Sequence, residues 1–153
     1  ATCREQILKT VLAKYKKYYD YILVDCGPSL GMLTINALTA ADSVIIPVEA
    51  EYLSAKGMEL LLRSVAMTKR KLNPGLKIDG ILITRVDKRN NLSRKIIQMV
   101  RDAYESLNIF ESQIPERIAV GKSLSKHELV GEFEKNSDAA IAYKKLAQEV
   151  LAK

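Results

Sequence analysis

Short, nearly continuous apolar runs alternate along this chain with longer stretches whose apolar residues return every third or fourth position. The first pattern is that of a strand buried on both faces; the second is the stripe of an amphipathic helix. Residues 3–17 predict a helix with Ile7, Leu8, Val11 and Leu12 on one face and Lys14, Lys16 and Lys17 near its C-terminal end, where cations are favoured. Residues 21–25 predict the first strand, and residues 31–41 a short helix carrying Met32, Leu33, Ile35 and Leu38. Residues 43–48 predict a second buried strand, ended by Pro47. Residues 54–72 predict a long helix with Met58, Leu61, Leu62, Val65 and Met67 inward and Lys69, Arg70 and Lys71 at its end, broken by Asn73-Pro74-Gly75. A third strand is expected over 76–84, a helix over 91–107, a fourth strand over 109–114 and, after a polar connection, a last helix near 137–151. Strands alternating with helices predict a doubly wound α/β fold with a mainly parallel sheet and flanking helices.

Composition adds bounds rather than direction. The 153 residues suit one domain or a large part of one, with 48% hydrophobic and 27% charged residues, ordinary values for a globular chain. No apolar run approaches the ~20 residues of a membrane span, and no signal peptide is visible. Cys3 and Cys26 lack metal-site spacing, so a reduced, cytosolic compartment is the simpler reading. A net charge of +6 permits binding to nucleic acid or to an anionic membrane without choosing between them.

Candidate chemistry concentrates where the first apolar run ends. Tyr21-Ile22-Leu23-Val24 leads into Asp25, and Gly27-Pro28-Ser29 follows at once. An acid at the C-terminal edge of a buried parallel strand sits where α/β folds bind ligands. The competing reading is an acid that caps a helix or shapes a turn. The strand–acid pattern is also that of a Walker B element, whose aspartate helps hold the magnesium of a bound nucleotide. The phosphate loop that accompanies such an element is not found in these residues. Gly121-Lys122-Ser123 ends like one, but Glu116 stands where G-x-x-x-x-G-K-[ST] needs its first glycine. A carboxylate there repels phosphate and cannot take glycine-only backbone angles. Ser29 lacks the G-x-S-x-G setting of a hydrolase nucleophile, and the single histidine, His127, has no matching acid or nucleophile.

Several segments in order carry a resemblance. Asp25-Cys26-Gly27-Pro28-Ser29-Leu30-Gly31, Thr34-Ile35-Asn36-Ala37-Leu38 and Ala41-Asp42-Ser43-Val44-Ile45-Ile46-Pro47-Val48 come first. Tyr52-Leu53-Ser54-Ala55-Lys56-Gly57, Ile78-Asp79-Gly80-Ile81-Leu82-Ile83-Thr84, Asp87-Lys88-Arg89-Asn90-Asn91-Leu92, Ile114-Pro115 and Ala142-Tyr143 follow. Together they resemble the ParA/Soj family of chromosome- and plasmid-partitioning ATPases, deviant Walker A proteins related to MinD. The resemblance implies an incomplete P-loop fold in which 1–153 is the C-terminal part of a single ATPase domain. The phosphate loop, with its lysines, and the aspartate that acts on the attacking water would belong to an N-terminal part of the intact protein. Without the neighbouring strand, an unpaired edge and bare apolar surface are expected, so the piece would dimerise, borrow an edge or derive from a longer protein.

The same resemblance implies the site residues. Asp25 would bind magnesium through water, and a pocket for the base of ATP would come from Thr84-Arg85 and Pro115-Glu116-Arg117. Arg89 would belong to a basic surface for DNA without sequence preference, together with Lys88, Arg94, Lys95 and Arg117. Ala119 stands where the family often has another DNA-binding arginine, with Arg117, Lys122 or Lys126 as substitutes. Asp87 reads as a turn former. Thr34 and Asn36 would lie near a nucleotide-sensing dimer interface or merely make a polar helix surface. Tyr15, Tyr18, Tyr19 and Tyr21 read as packing around the first strand. The implied protein is a cytoplasmic, nucleoid-associated homodimer partnered by a ParB-type centromere-binding protein. This fragment, lacking the phosphate cradle, is expected to be inactive alone. Two other readings stay open: a non-catalytic DNA-binding or regulatory module derived from such an ATPase, and a MinD-like membrane-surface ATPase. The terminal helix over 143–153 has too narrow an apolar face to favour the latter.

Overall fold

The computed structural model describes residues 4–27, 29–50, 55–87, 89–117, 123 and 125–152. In order these form α1 (Ile7–Ala13), α2 (Met32–Ala40), β1 (Ser43–Glu49), α3 (Ala55–Lys71), β2 (Lys77–Val86), α4 (Asn91–Ala103), β3 (Ile109–Pro115), α5 (Val130–Phe133) and α6 (Asp138–Leu151). Three parallel strands lie in the order β1-β2-β3, with α6 packed against β3. The expected α/β layering is therefore present, and from α2 onward the bounds of the expected strands and helices fall within a few residues of those the apolar pattern predicts. Pro47 does not end β1 but sits inside it; β1 is an edge of this sheet, where a missing N–H costs no ladder bond.

The chain divides into two compact units, 1–44 with 54–78, and 45–53 with 79–153. In the first, α2 packs against α1 and α3 around Leu38, Val65 and Leu76, with Ala41, Val44, Leu61 and Ile78 at the margin. Asn73 ties this unit together: its buried amide donates to the carbonyls of Leu38 at 3.0 Å and Ala41 at 2.7 Å. Met67, expected inward on α3, is exposed, and its neighbour Thr68 is buried instead. Thr34 and Asn36 are also buried rather than part of a polar surface. Asn36 accepts from the Leu8 N–H at 3.2 Å and donates to the carbonyls of Arg4 and Met32, locking α1 onto α2.

The expected helix over 3–17 is interrupted: 3-10 turns at Arg4–Gln6 and Lys16–Tyr18 flank the short α1. The expected first strand does not form at all. Residues 21–25 are irregular and exposed, Leu23 to 92%. The physical reason is the ladder: a strand exists only against a partner, and no described segment hydrogen-bonds to this one. Asp25 is therefore not at a strand end in this structure. Tyr15, Tyr18, Tyr19 and Tyr21, read as packing residues, are exposed as well.

In the second unit, Leu82, Phe110 and Ile114 form the core, covered by Ile45 and by Ala142, Leu146 and Val150 of α6. The pairing of β2 with β3 shifts twice. Ile81 faces Ile109, Ile83 faces Gln113 and Val86 faces Pro115. The first shift gives β3 extra residues around Glu111–Ser112; the second gives β2 one extra residue at Thr84–Arg85.

Candidate functional site

In a parallel α/β sheet the ligand rim is the C-terminal end of the strands, where loops diverge. Here, in the second unit, that rim is made by Glu49 closing β1, Thr84-Arg85-Val86 closing β2, and Pro115-Glu116-Arg117 closing β3. The bulge in β2 is visible in its backbone: Arg85 has φ 53°, left-handed for a residue with a Cβ. Such a conformation costs roughly 1–2 kcal/mol and persists only where the surroundings over-determine it. They do so here. The Thr84 carbonyl accepts from Ala50 at 2.9 Å, its hydroxyl donates to the Val48 carbonyl at 3.3 Å, and the Glu116 N–H donates to Val86 at 3.2 Å. The Arg85 guanidinium then donates to Glu116 at 2.8 Å and lies 3.7 Å from Glu49.

Arg117 continues the rim. Its guanidinium grips both carboxylate oxygens of Asp138, in the first turn of α6, and donates to the Glu116 carbonyl at 2.8 Å. Asp138 follows Ser137, whose side chain accepts from the Ala140 N–H and caps the helix. Of the residues the sequence singles out, Thr84, Arg85, Pro115, Glu116 and Arg117 are thus brought together. Glu49 and Asp138 complete the ion-pair network and were not anticipated. Glu49 carried a usable signal, an acid directly after a buried apolar run; Asp138 has no signature beyond its place behind a helix cap.

The basic candidates begin at the turn after β2. Asp87 accepts from the Arg89 N–H at 3.0 Å and meets its Nε at 3.4 Å, as expected of a turn former. That backbone hydrogen bond, chiefly, with the charges of Arg89 and Arg117, holds the Asp87 carboxyl below its ordinary range. Asn90 caps α4 by accepting from the Leu92 N–H at 2.9 Å. Arg89, Arg94 and Lys95 are all exposed, with Arg94 donating to Asn91 at 2.8 Å. Lys88, Ala119, Lys122 and the Gly121-Lys122 pair lie outside the described residues, as do Cys3, Pro28 and Tyr52-Leu53-Ser54.

Asp25 belongs to the first unit. It is exposed and forms no ion pair among the described residues. Cys26 beside it has its thiol pushed up, first by partial burial and then by the Asp25 charge. No group of three or more His, Cys, Asp or Glu is gathered among the described residues. No described helix is long and apolar enough to cross a membrane.

Comparison with known proteins agrees with this layout. Residues 1–78 match the family described as an AAA domain. The sporulation initiation inhibitor protein Soj of Bacillus subtilis is 40% identical over 149 residues, covering 97% of this chain and 58% of that protein. The chromosome-partitioning ATPase Soj of Treponema pallidum is 37% identical, covering 98% of this chain and 59% of that one. Among solved structures, cobyrinic acid a,c-diamide synthase from Mycobacterium smegmatis with bound ATP analogue and magnesium superposes with a TM-score of 0.84 at 37% identity, over 99% of this chain and 55% of the other. The chain thus spans somewhat more than half the length of the curated relatives it matches. A three-stranded parallel α/β layout matched end to end by such relatives leads to one conclusion: the chain belongs to the ParA/Soj family of partitioning ATPases.

Proposed function

We propose that this chain forms part of a ParA-type ATPase that binds ATP and magnesium, dimerises, holds DNA without sequence preference and hydrolyses ATP when a ParB-type partner engages it. We further propose that 1–153 is the C-terminal part of a single ATPase domain, the phosphate loop being supplied by residues outside it. The observation that supports the reading is the rim of the second unit, where Thr84-Arg85 at the end of β2 and Pro115-Glu116-Arg117 at the end of β3 stand together, beside Glu49 of β1. Thr84-Arg85 and Pro115-Glu116-Arg117 would line the base of ATP, with Arg85 fixed by Glu49 and Glu116 and Arg117 fixed by Asp138.

The donor chemistry fits a magnesium nucleotide. Mg²⁺ takes oxygen ligands, keeps several waters and needs only one or two carboxylates beside the phosphates. An unpaired carboxylate such as Asp25 meets that need without an acidic cluster. When bound, the metal supplies charge neutralisation for the transferring phosphoryl group. Asp25 would hold it through water, and the stretch before it has the composition of a strand that would form once a neighbouring strand paired with it. The exposed Arg89, Arg94 and Lys95, with Lys88 and Arg117, supply the DNA surface; Arg117 must share its guanidinium with Asp138 to do so.

Two measurements test this. Asp25→Ala in the intact protein lowers ATP turnover by at least tenfold; full turnover in that variant removes Asp25 from the metal site. Arg89→Ala weakens binding to unrelated duplexes alike and flattens the log affinity against log salt slope by about 1. Unchanged binding removes Arg89 from the surface.

A further inference from the structure

We propose that the first unit carries a separate contact surface for the phosphate backbone of duplex nucleic acid, built from Lys14, Lys17, Lys69, Arg70, Lys71 and Lys77. Charge points to it first. The first unit holds 11 lysines and arginines against 5 carboxylates; the second holds 13 of each. The whole net charge of +6 therefore belongs to the first unit. In the second unit, Arg85, Arg89, Arg117 and Lys145 are each matched to a carboxylate. In the first, only Lys16 with Asp42 and Arg63 with Glu59 form ion pairs among the described residues.

Geometry then brings together the segments of six cations without a carboxylate partner among the described residues, Lys17 among them lying over the Tyr18 ring. The Lys77 N–H donates to the Asp42 carbonyl at 3.1 Å, and the Lys16 ammonium meets the Asp42 carboxylate at 3.0 Å. Asn73, two residues after α3, donates to Ala41 at 2.7 Å. These bonds tie the 14–17 segment, the end of α3 and the start of β2 to one spot, Ala41–Asp42, before β1. Lys14, Lys17, Lys69, Arg70, Lys71 and Lys77 are each exposed on these segments. A helix dipole accounts for cations ending α3, but not for the lysines on the two other segments tied to the same spot.

Five of the six are lysines, point charges without a fork to read bases, so the surface suits a phosphate backbone irrespective of sequence. A membrane surface would also demand a continuous apolar face, but α3 turns Met58 and Val65 into the core. Only the choice of duplex as ligand leans on the proposed function; the surface itself stands on charge and hydrogen bonding.

The test is fluorescence anisotropy of labelled duplexes of two unrelated sequences with this chain over a salt series, with anionic phosphatidylserine vesicles in parallel. The variant Lys69→Gln/Arg70→Gln/Lys71→Gln weakens both duplexes at least tenfold at low salt and reduces the salt slope by about 2–3. Lys14→Gln/Lys17→Gln moves both quantities the same way by less, and keeps the test alive if the first variant misfolds. Arg94→Gln/Lys95→Gln on α4 separates the two surfaces. A loss confined to that variant overturns this proposal and leaves the α4 surface standing; losses confined to the first two sustain it and count against α4. Unchanged affinity and slope in both basic-end variants, or losses seen only with vesicles, also overturn it.

Discussion

A Cβ built at Gly80 would lie 2.6 Å from the Asn108 side-chain nitrogen and 2.8 Å from the Asn108 carbonyl oxygen. Neither can retreat cheaply, because that oxygen accepts from Ile81 and that nitrogen donates to Asp79. Gly80→Ala is expected to cost about 1–3 kcal/mol, read as a lower urea midpoint at unchanged slope. Ser93 offers the opposite case. Its hydroxyl is buried without a hydrogen-bond partner, so Ser93→Ala should leave thermal stability unchanged or raise it. Glu149 of α6 ties two consecutive amides: its carboxylate accepts from the N–H of Glu111 at 2.9 Å and of Ser112 at 2.8 Å, and from the Ser112 hydroxyl. Burial alone would raise this carboxyl, but those hydrogen bonds, with Lys145 nearby, hold it below its ordinary range. A lowered folded-state value means stability that is present above the unfolded value and lost as pH falls through the folded one. Glu149→Gln should therefore be less stable than the parent at neutral pH, with the gap closing under acid in parallel denaturation curves. Residues of this kind were not legible in the sequence, since nothing in Glu149 or Asp138 announces the distant amide or guanidinium each meets.

Elements were far more legible than their partners. The runs that became β1, β2 and β3, and the stripes that became α3, α4 and α6, carry enough apolar periodicity to declare themselves. Periodicity names a face, however, and not what covers it. The stripe of α1 is real, yet Ile7 and Val11 remain exposed while Leu8 and Leu12 turn partly inward. Tyr21-Ile22-Leu23-Val24 has strand composition and no ladder. Its amides should exchange with deuterium at near-unprotected rates while those of Ile81 and Ile83 are retained. Protection of 21–25 at the level of β2 would show that the segment finds a partner strand in solution.

For the molecule as a whole, the bare stretch from Tyr21 to Val24 is the main liability. Exposed apolar residues with free backbone groups invite pairing between copies, so sedimentation should show association rising with concentration. Leu23→Glu, at a side chain already 92% exposed, should suppress that association without lowering stability. The α/β layering was readable from sequence because it follows the alternation of apolar runs and amphipathic stripes, whereas the residues of the rim were named only through the family resemblance. The partition of charge was not readable, because it depends on which segments fold together. The paired amides of Glu111 and Ser112 carry one last implication. Glu149 sits two positions before Leu151, where α6 ends, and it anchors the irregularity that sets where Pro115 and Glu116 emerge. A bulky tag fused behind α6 that frays its final turn would thus reach the rim at Pro115 and Glu116 indirectly, and labels for such work belong elsewhere on the chain.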